Sequence, residues 1–140
     1  MILQTTEFRK IKEKHAKDLL EFLIPNAEEF DILCSTDEIT FNPELPKHIS
    51  SAFGEVLVFT LANYTLSTAK IMDNTLTFEA GFGEENIGSI VSIPLKYIIQ
   101  ITEEETPLFI NVSATIQQKE PEPQTKNPFE LNPRNKKFMN

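Results

Sequence analysis

Residues 74–112, NTLTFEAGFGEENIGSIVSIPLKYIIQITEEETPLFINV, place turn residues between short apolar runs at regular intervals. Such spacing restricts this part of the chain to short antiparallel strands. Residues 75–82 alternate: Leu76, Phe78, Ala80 and Phe82 share one face, and Thr75, Thr77, Glu79 and Gly81 share the other. Residues 83–88 turn the chain between two glycines, and residues 89–93 return. Pro94 has no N–H to give a ladder, so it ends that strand or sits at an unpaired edge. Residues 98–102 and 108–112 complete the sheet.

Upstream, residues 6–23 read as the one clear helix. Phe8, Ile11, His15, Leu19, Phe22 and Leu23 recur near helical period, giving one apolar stripe on which His15 is expected to be packed. Thr5 or Thr6 can cap the start, with Glu7 near the positive end of the dipole. Pro25 disfavours helical geometry at Ile24, which sets the expected end. Arg9, Lys10, Lys12, Lys14 and Lys17 fill the other face and read as solvated. Residues 30–34 and 38–41 are predicted strands, and residues 42–53, with Pro43 and Pro46, a long loop. Residues 55–61 (EVLVFTL) form a strand expected to be buried on both faces, and residues 65–72 a weaker one. The expected fold is mainly β with one N-terminal α-helix, a small barrel or sandwich. The helix would cover one end or pack against a second subunit.

The length of 140 residues supports one domain. Residues 1–116 hold 8 Lys and Arg against 18 Asp and Glu, a net charge of −10. Residues 117–140 carry a net charge of +2. An acidic body repels nucleic-acid phosphates, so nucleic acid is not the expected partner. Residues 117–133 contain four prolines and few apolar side chains, too little to offset ordering entropy, and read as a disordered linker. The linker ends in Arg134, Lys136, Lys137 and Phe138, a basic and apolar terminus of the kind that docks on a partner. No N-terminal leader or apolar span is evident, and the single Cys34 permits no internal disulfide. The expected compartment is the cytoplasm.

No constellation for catalysis stands out. His15 and His48 are the only histidines, and no group of His, Cys and carboxylate has zinc spacing. Cys34 lies in an apolar strand, where a thiol is expected to be buried and inert. Gly81-Phe82-Gly83 lacks the spacing and following helix of a phosphate loop. The glycines instead suit close approach of another backbone. The acidic runs at 84–85 and 103–105 read as solvated turns. Neither an enzyme nor a bound cofactor or metal is expected.

The segment Phe78-Glu-Ala80-Gly81-Phe82-Gly83-Glu84, followed by Val91-Ser-Ile93-Pro94, resembles the central signature of the SspB adaptors. Residues 56–64 (VLVFTLANY) are similar to that family's preceding strand and groove-forming segment. Two positions differ: Gly81 stands where the family has Arg, and Glu84 replaces a second Gly, which leaves the groove rim less basic. The resemblance implies an Sm-like β-barrel with an N-terminal helix, a homodimer and a flexible tail. It implies that the barrel groove binds ssrA-type degradation tags and that the tail docks on the ClpX unfoldase for proteolysis. On that basis Ala80, Gly81 and Phe82 would line the groove, with Ala62, Asn63 and Tyr64 on the opposite rim. Arg134, Lys136, Lys137 and Phe138 would dock the unfoldase. Rival uses of such a small barrel are RNA binding, recognition of another peptide, or carriage of a small ligand.

Overall fold

The computed structural model describes residues 1–115. Helix α1 (Thr6–Asn26) opens the fold, and the Thr5 side chain accepts a hydrogen bond from the Phe8 N–H to cap it. Strand β1 (Glu29–Ser35) and the short β2 (Thr40–Asn42) follow. A helical turn α2 (Lys47–Ser50), strand β3 (Val56–Ala62) and a second helical turn α3 (Asn63–Ser67) come next. Strands β4 (Lys70–Met72), β5 (Thr75–Phe82), β6 (Ile87–Pro94), β7 (Ile98–Glu103) and β8 (Thr106–Ile110) complete the order.

The strands form two antiparallel sheets, ordered β3-β1-β7-β8 and β2-β6-β5-β4. No ladder joins them among the described residues, so they do not close into a barrel. The fold is mostly β with one long helix. Its core lies between the sheets, where Phe30, Ile32, Leu61, Ile98 and Ile101 meet Leu76, Phe78, Val91 and Ile93. Phe59 and Phe78 bridge the two layers with ring centroids 5.3 Å apart in an edge-to-face arrangement.

The β4–β5 and β5–β6 hairpins agree with the periodicity. Asp73 and Asn74 both take positive φ, 53° and 57°, as a tight two-residue hairpin turn requires. Strand β5 buries Leu76 and Phe78 and points Glu79 and Gly81 outward. The Gly83–Asn86 turn places Gly83 and Asn86 at positive φ.

Other expectations are corrected. Helix α1 runs on to Asn26 with Pro25 in its last turn. The helix survives there because the Asn26 side chain donates to the Phe22 carbonyl and the Ala27 N–H to that of Leu23, which satisfies carbonyls at the C-terminus. Its buried face is Ala16, Leu20 and Leu23, packed on the turn Leu95–Tyr97. Ala16 on the helix and Leu95 on that turn are both fully buried. Of the expected stripe, Leu23 is buried and Leu19 packs half-buried against the core, whereas His15 is exposed, Ile11 is 51% exposed and Phe22 is 62% exposed.

Strand β3 is buried on one face only. Phe59 and Leu61 point inward, while Val56 and Val58 are open to solvent. The predicted strand at 38–41 begins at Thr40, after a 3-10 turn over Thr36–Glu38. The loop at 42–53 contains α2, and the weak strand at 65–72 is α3 followed by the three residues of β4. Asn63 starts α3 with φ of 51°, a conformation that Asn tolerates better than most residues.

Cys34 is fully buried, and burial pushes its thiol pKa up to about 12. A thiol disulfide-exchange reagent at pH 8 is expected to leave it unlabelled in the native protein. One equivalent should react in denaturant, whereas fast native labelling would place Cys34 at the surface. No helix among the described residues is long and apolar enough to cross a membrane.

Candidate peptide-binding groove

The two sheets leave two strand edges facing one gap. Strand β4 covers β5 only from Thr75 to Thr77, so the second half of β5 has no strand on that side. The Leu95 N–H donates to the Asn74 carbonyl, which fixes the alternation of the β5–β6 ladder. By that alternation the main-chain groups of Leu76, Phe78, Ala80 and Phe82 face β6. Those of Thr77, Glu79 and Gly81 face the other way. The Glu79 N–H accordingly donates to Thr68 Oγ1 at 2.9 Å, and Gly81 is left on the open edge.

Strand β3 is the edge of its own sheet. The Thr36 N–H donates to the Glu55 carbonyl just beyond the β1–β3 register, which sets that ladder's alternation. The main-chain groups of Val58 and Thr60 then point away from β1, towards the gap. Helix α3 closes one end of the gap, where the Tyr64 hydroxyl donates to Glu79 Oε1 at 2.6 Å. That bond, with the charge of Glu79, raises the Tyr64 phenol above its ordinary pKa.

Two cavities meet here. One, of about 520 Å³, lies over Glu79, Gly81, Gly88 and Ile90, between Tyr64 and the Asn42-Pro43 corner. The second, of about 380 Å³, lies between Val58–Thr60 and Ala80–Phe82. Thr65, Ala80 and Gly81 line both, so together they form one groove. Its size is that of a site for a small ligand or a few peptide residues.

The floor of the first cavity is bare backbone at Gly88. Gly81 and Gly88 are directly paired across β5 and β6, on the face that carries Glu79 and Ile90. At Gly81 a Cβ would stand 1.8 Å from Asn86 Oδ1, so the missing side chain makes room for the Asn86 carboxamide. At Gly88 a Cβ would meet nothing within 4 Å. The Asn42-Pro43 wall is anchored by Ser89, whose buried hydroxyl donates to the Pro43 carbonyl at 2.8 Å. Beneath the second cavity Phe82 packs against Phe41 and Phe59, with centroids 5.5 Å and 6.3 Å away. Phe82 is thus both a wall of the groove and part of the aromatic cluster under it.

Of the residues expected at the site, Tyr64, Ala80 and Gly81 come together in the first cavity, and Phe82 lines the second. Ala62 and Asn63 do not line either. Ala62 pairs with Glu29 at the end of β3, and Asn63 turns the chain into α3. Arg134, Lys136, Lys137 and Phe138, with the whole linker expected to be disordered, lie outside the described residues. The sequence reading missed Thr65, Glu79, Asn86 and Gly88. A usable signal was the pair of glycines flanking one turn at matching distances from its centre, which puts both on one face. Among the described residues no group of three or more His, Cys, Asp or Glu is placed to hold a metal ion.

Comparison with protein-family models finds no match, and comparison with curated proteins finds none either.

Proposed function

We propose that this protein is a non-enzymatic adaptor of the SspB kind. It holds an extended ssrA-type degradation tag in the groove and tethers the tagged polypeptide to the ClpX unfoldase through residues 134–138. The observation that carries this reading is the pair of strand edges with no strand alongside, at Val58–Thr60 and at Gly81, facing one gap. An added strand gains affinity from main-chain hydrogen bonds and specificity from pockets for its alternate side chains. The bare floor at Gly88 beside the gap suits close backbone approach. In this reading the two sheets are halves of an Sm-like barrel held open, and the tag lies where the barrel does not close.

The outward face of α1 supports self-association. At about 100° per residue, Ile11 and Phe22 point the same way, about 140° from the buried Ala16. A helix apolar on two sides buries the second against a partner, and here that partner is a second copy. A dimer would offer two grooves and two tails, which raises the effective concentration of tagged chains at the unfoldase. The cytoplasm, where tagging and unfolding occur, belongs to the same proposal. The acidic body argues against RNA as the ligand.

Fluorescence anisotropy with the ssrA tag peptide of the source organism tests the proposal. Saturable binding that survives moderate salt and fails with a scrambled peptide is expected. No binding withdraws the tag assignment. Removing residues 134–140 is expected to abolish delivery to the unfoldase and leave tag affinity within about twofold, since an independent tether adds no contact at the groove. Loss of tag binding on that truncation would assign those residues to the groove instead.

A further inference from the structure

The groove's charge is one-sided. Among the residues lining the two cavities, Glu79 is the only one that carries charge at neutral pH, and none is Lys or Arg. The Tyr64 hydroxyl holds one carboxylate oxygen of Glu79 at the groove wall, and the other has no protein partner among the described residues. The nearest cation by register is Lys70. It pairs with Thr77, one outward position along β5 from Glu79, and makes no ion pair with Glu79 within 4 Å. The turn that ends β5 adds Glu84 and Glu85.

We infer that the groove selects an extended segment bearing a Lys or Arg side chain at the position beside Gly81, diagonal to Glu79, and rejects a segment with an acidic residue there. The inference rests on the peptide-groove reading above and names the class of peptide it takes. The Glu79 N–H is taken by Thr68, so a strand laid along the open edge of β5 at Gly81 has one side chain diagonal to Glu79, at about 7–8 Å, a separation that long side chains span and over which opposite charges attract and like charges repel. The Asn86 carboxamide fills the space over Gly81, but Gly88, paired with it across the ladder, has nothing within 4 Å of where a Cβ would stand and leaves room for a long cationic stem. An Arg at position 81 would have reversed this preference. Gly81 removes that cation, and Asn86 occupies its place with a neutral carboxamide.

The test is affinity selection on the immobilised full chain. Three libraries of ten-residue peptides are applied, with Lys, Gln or Glu fixed at a central position and the remaining positions randomised over uncharged residues. Glu79→Gln and Gly88→Trp proteins run in parallel, each checked by its thermal melt. The wild-type chain is expected to retain the Lys library about fivefold over the Glu library at low salt, the scale of an exposed charge pair. The ratio should fall towards one in Glu79→Gln. Equal retention, or preference for Glu, overturns the inference while leaving the groove reading intact if Gly88→Trp still abolishes capture. A Lys preference that persists in Glu79→Gln also overturns it, because the selectivity then comes from elsewhere. Capture that is no better than by Gly88→Trp for every library removes the groove reading and the inference together.

Discussion

Replacing Phe78 by Ala is expected to cost about 4 kcal/mol of folding stability, a large fraction of the roughly 5–15 kcal/mol that a domain possesses. Phe78 is 1% exposed and stands in the middle of β5. Its ring meets Phe59 of the other sheet at 5.3 Å, edge to face. No ladder joins the two sheets among the described residues, so side-chain contacts of this kind are what hold the layers together. Deleting the ring removes buried apolar area and leaves a cavity between two strands that their own ladders prevent from collapsing. Urea titration should move the midpoint sharply, and the melting temperature should fall by about 15–20 °C. Val58→Ala is the matched control. Val58 lies one position from Phe59 on β3 but is 61% exposed, so its loss should cost under about 0.5 kcal/mol. A Phe78→Ala cost below about 1 kcal/mol would mean that the two sheets are not coupled through this contact.

The parts of the fold that were legible in the sequence are those where one local rule acts alone. Residues 75–82 alternate cleanly because one face is covered and the other is not, and the turns on both sides use residues that accept positive φ. Helix α1 was legible as a helix but only in part as to its buried face, which keeps Leu23 and the half-buried Leu19 of the expected stripe and adds Ala16 and Leu20. It has two apolar sides, and periodicity cannot say which one the rest of the chain covers. Ala16 is fully buried at the centre of that face, and a stripe drawn from large side chains passes over it. Strand β3 failed for a related reason. Val56 and Val58 are apolar yet open to solvent, so a continuous apolar run did not mean burial on both faces. Lys14 and Asp18, with Nζ–Oδ2 at 2.8 Å, did follow the local rule of helical spacing on the solvated face.

The groove was only half legible because it is assembled from separated segments. The Asn42-Pro43 corner, α3, the edge of β5, the Gly83–Asn86 turn and the start of β6 all contribute. A resemblance centred on residues 78–94 reaches Ala80, Gly81 and Phe82, and its upstream part reaches Tyr64. It points to Ala62 and Asn63 as well, but there the chain leaves β3 and turns into α3. Glu79, which sets the charge of the groove, lies inside the resembling stretch. It was read as the solvent side of an alternating strand, and its pairing with Tyr64 depends on how α3 folds back.

Gly88→Trp is expected to lower peptide affinity by more than about thirtyfold while leaving the fold intact, a separation of effects that few groove positions allow. Replacing Gly81 would force the Asn86 carboxamide aside, so a binding defect there could come from the displaced turn. At Gly88 the added Cβ enters open space, and the face it projects from is the floor of the larger cavity. An indole of this size fills much of the volume a bound strand needs and removes the bare backbone on which it would rest. Stability should hold or rise slightly, because an aromatic residue suits a strand better than glycine does. The chain contains no tryptophan, so the introduced indole is also the sole fluorophore of its kind. Acrylamide quenching intermediate between that of free tryptophan and that of a buried indole would locate it in the open groove. Full peptide affinity with the indole so placed would separate peptide capture from this groove. A thirtyfold loss with an unchanged melting curve would tie capture to the Gly81–Gly88 floor.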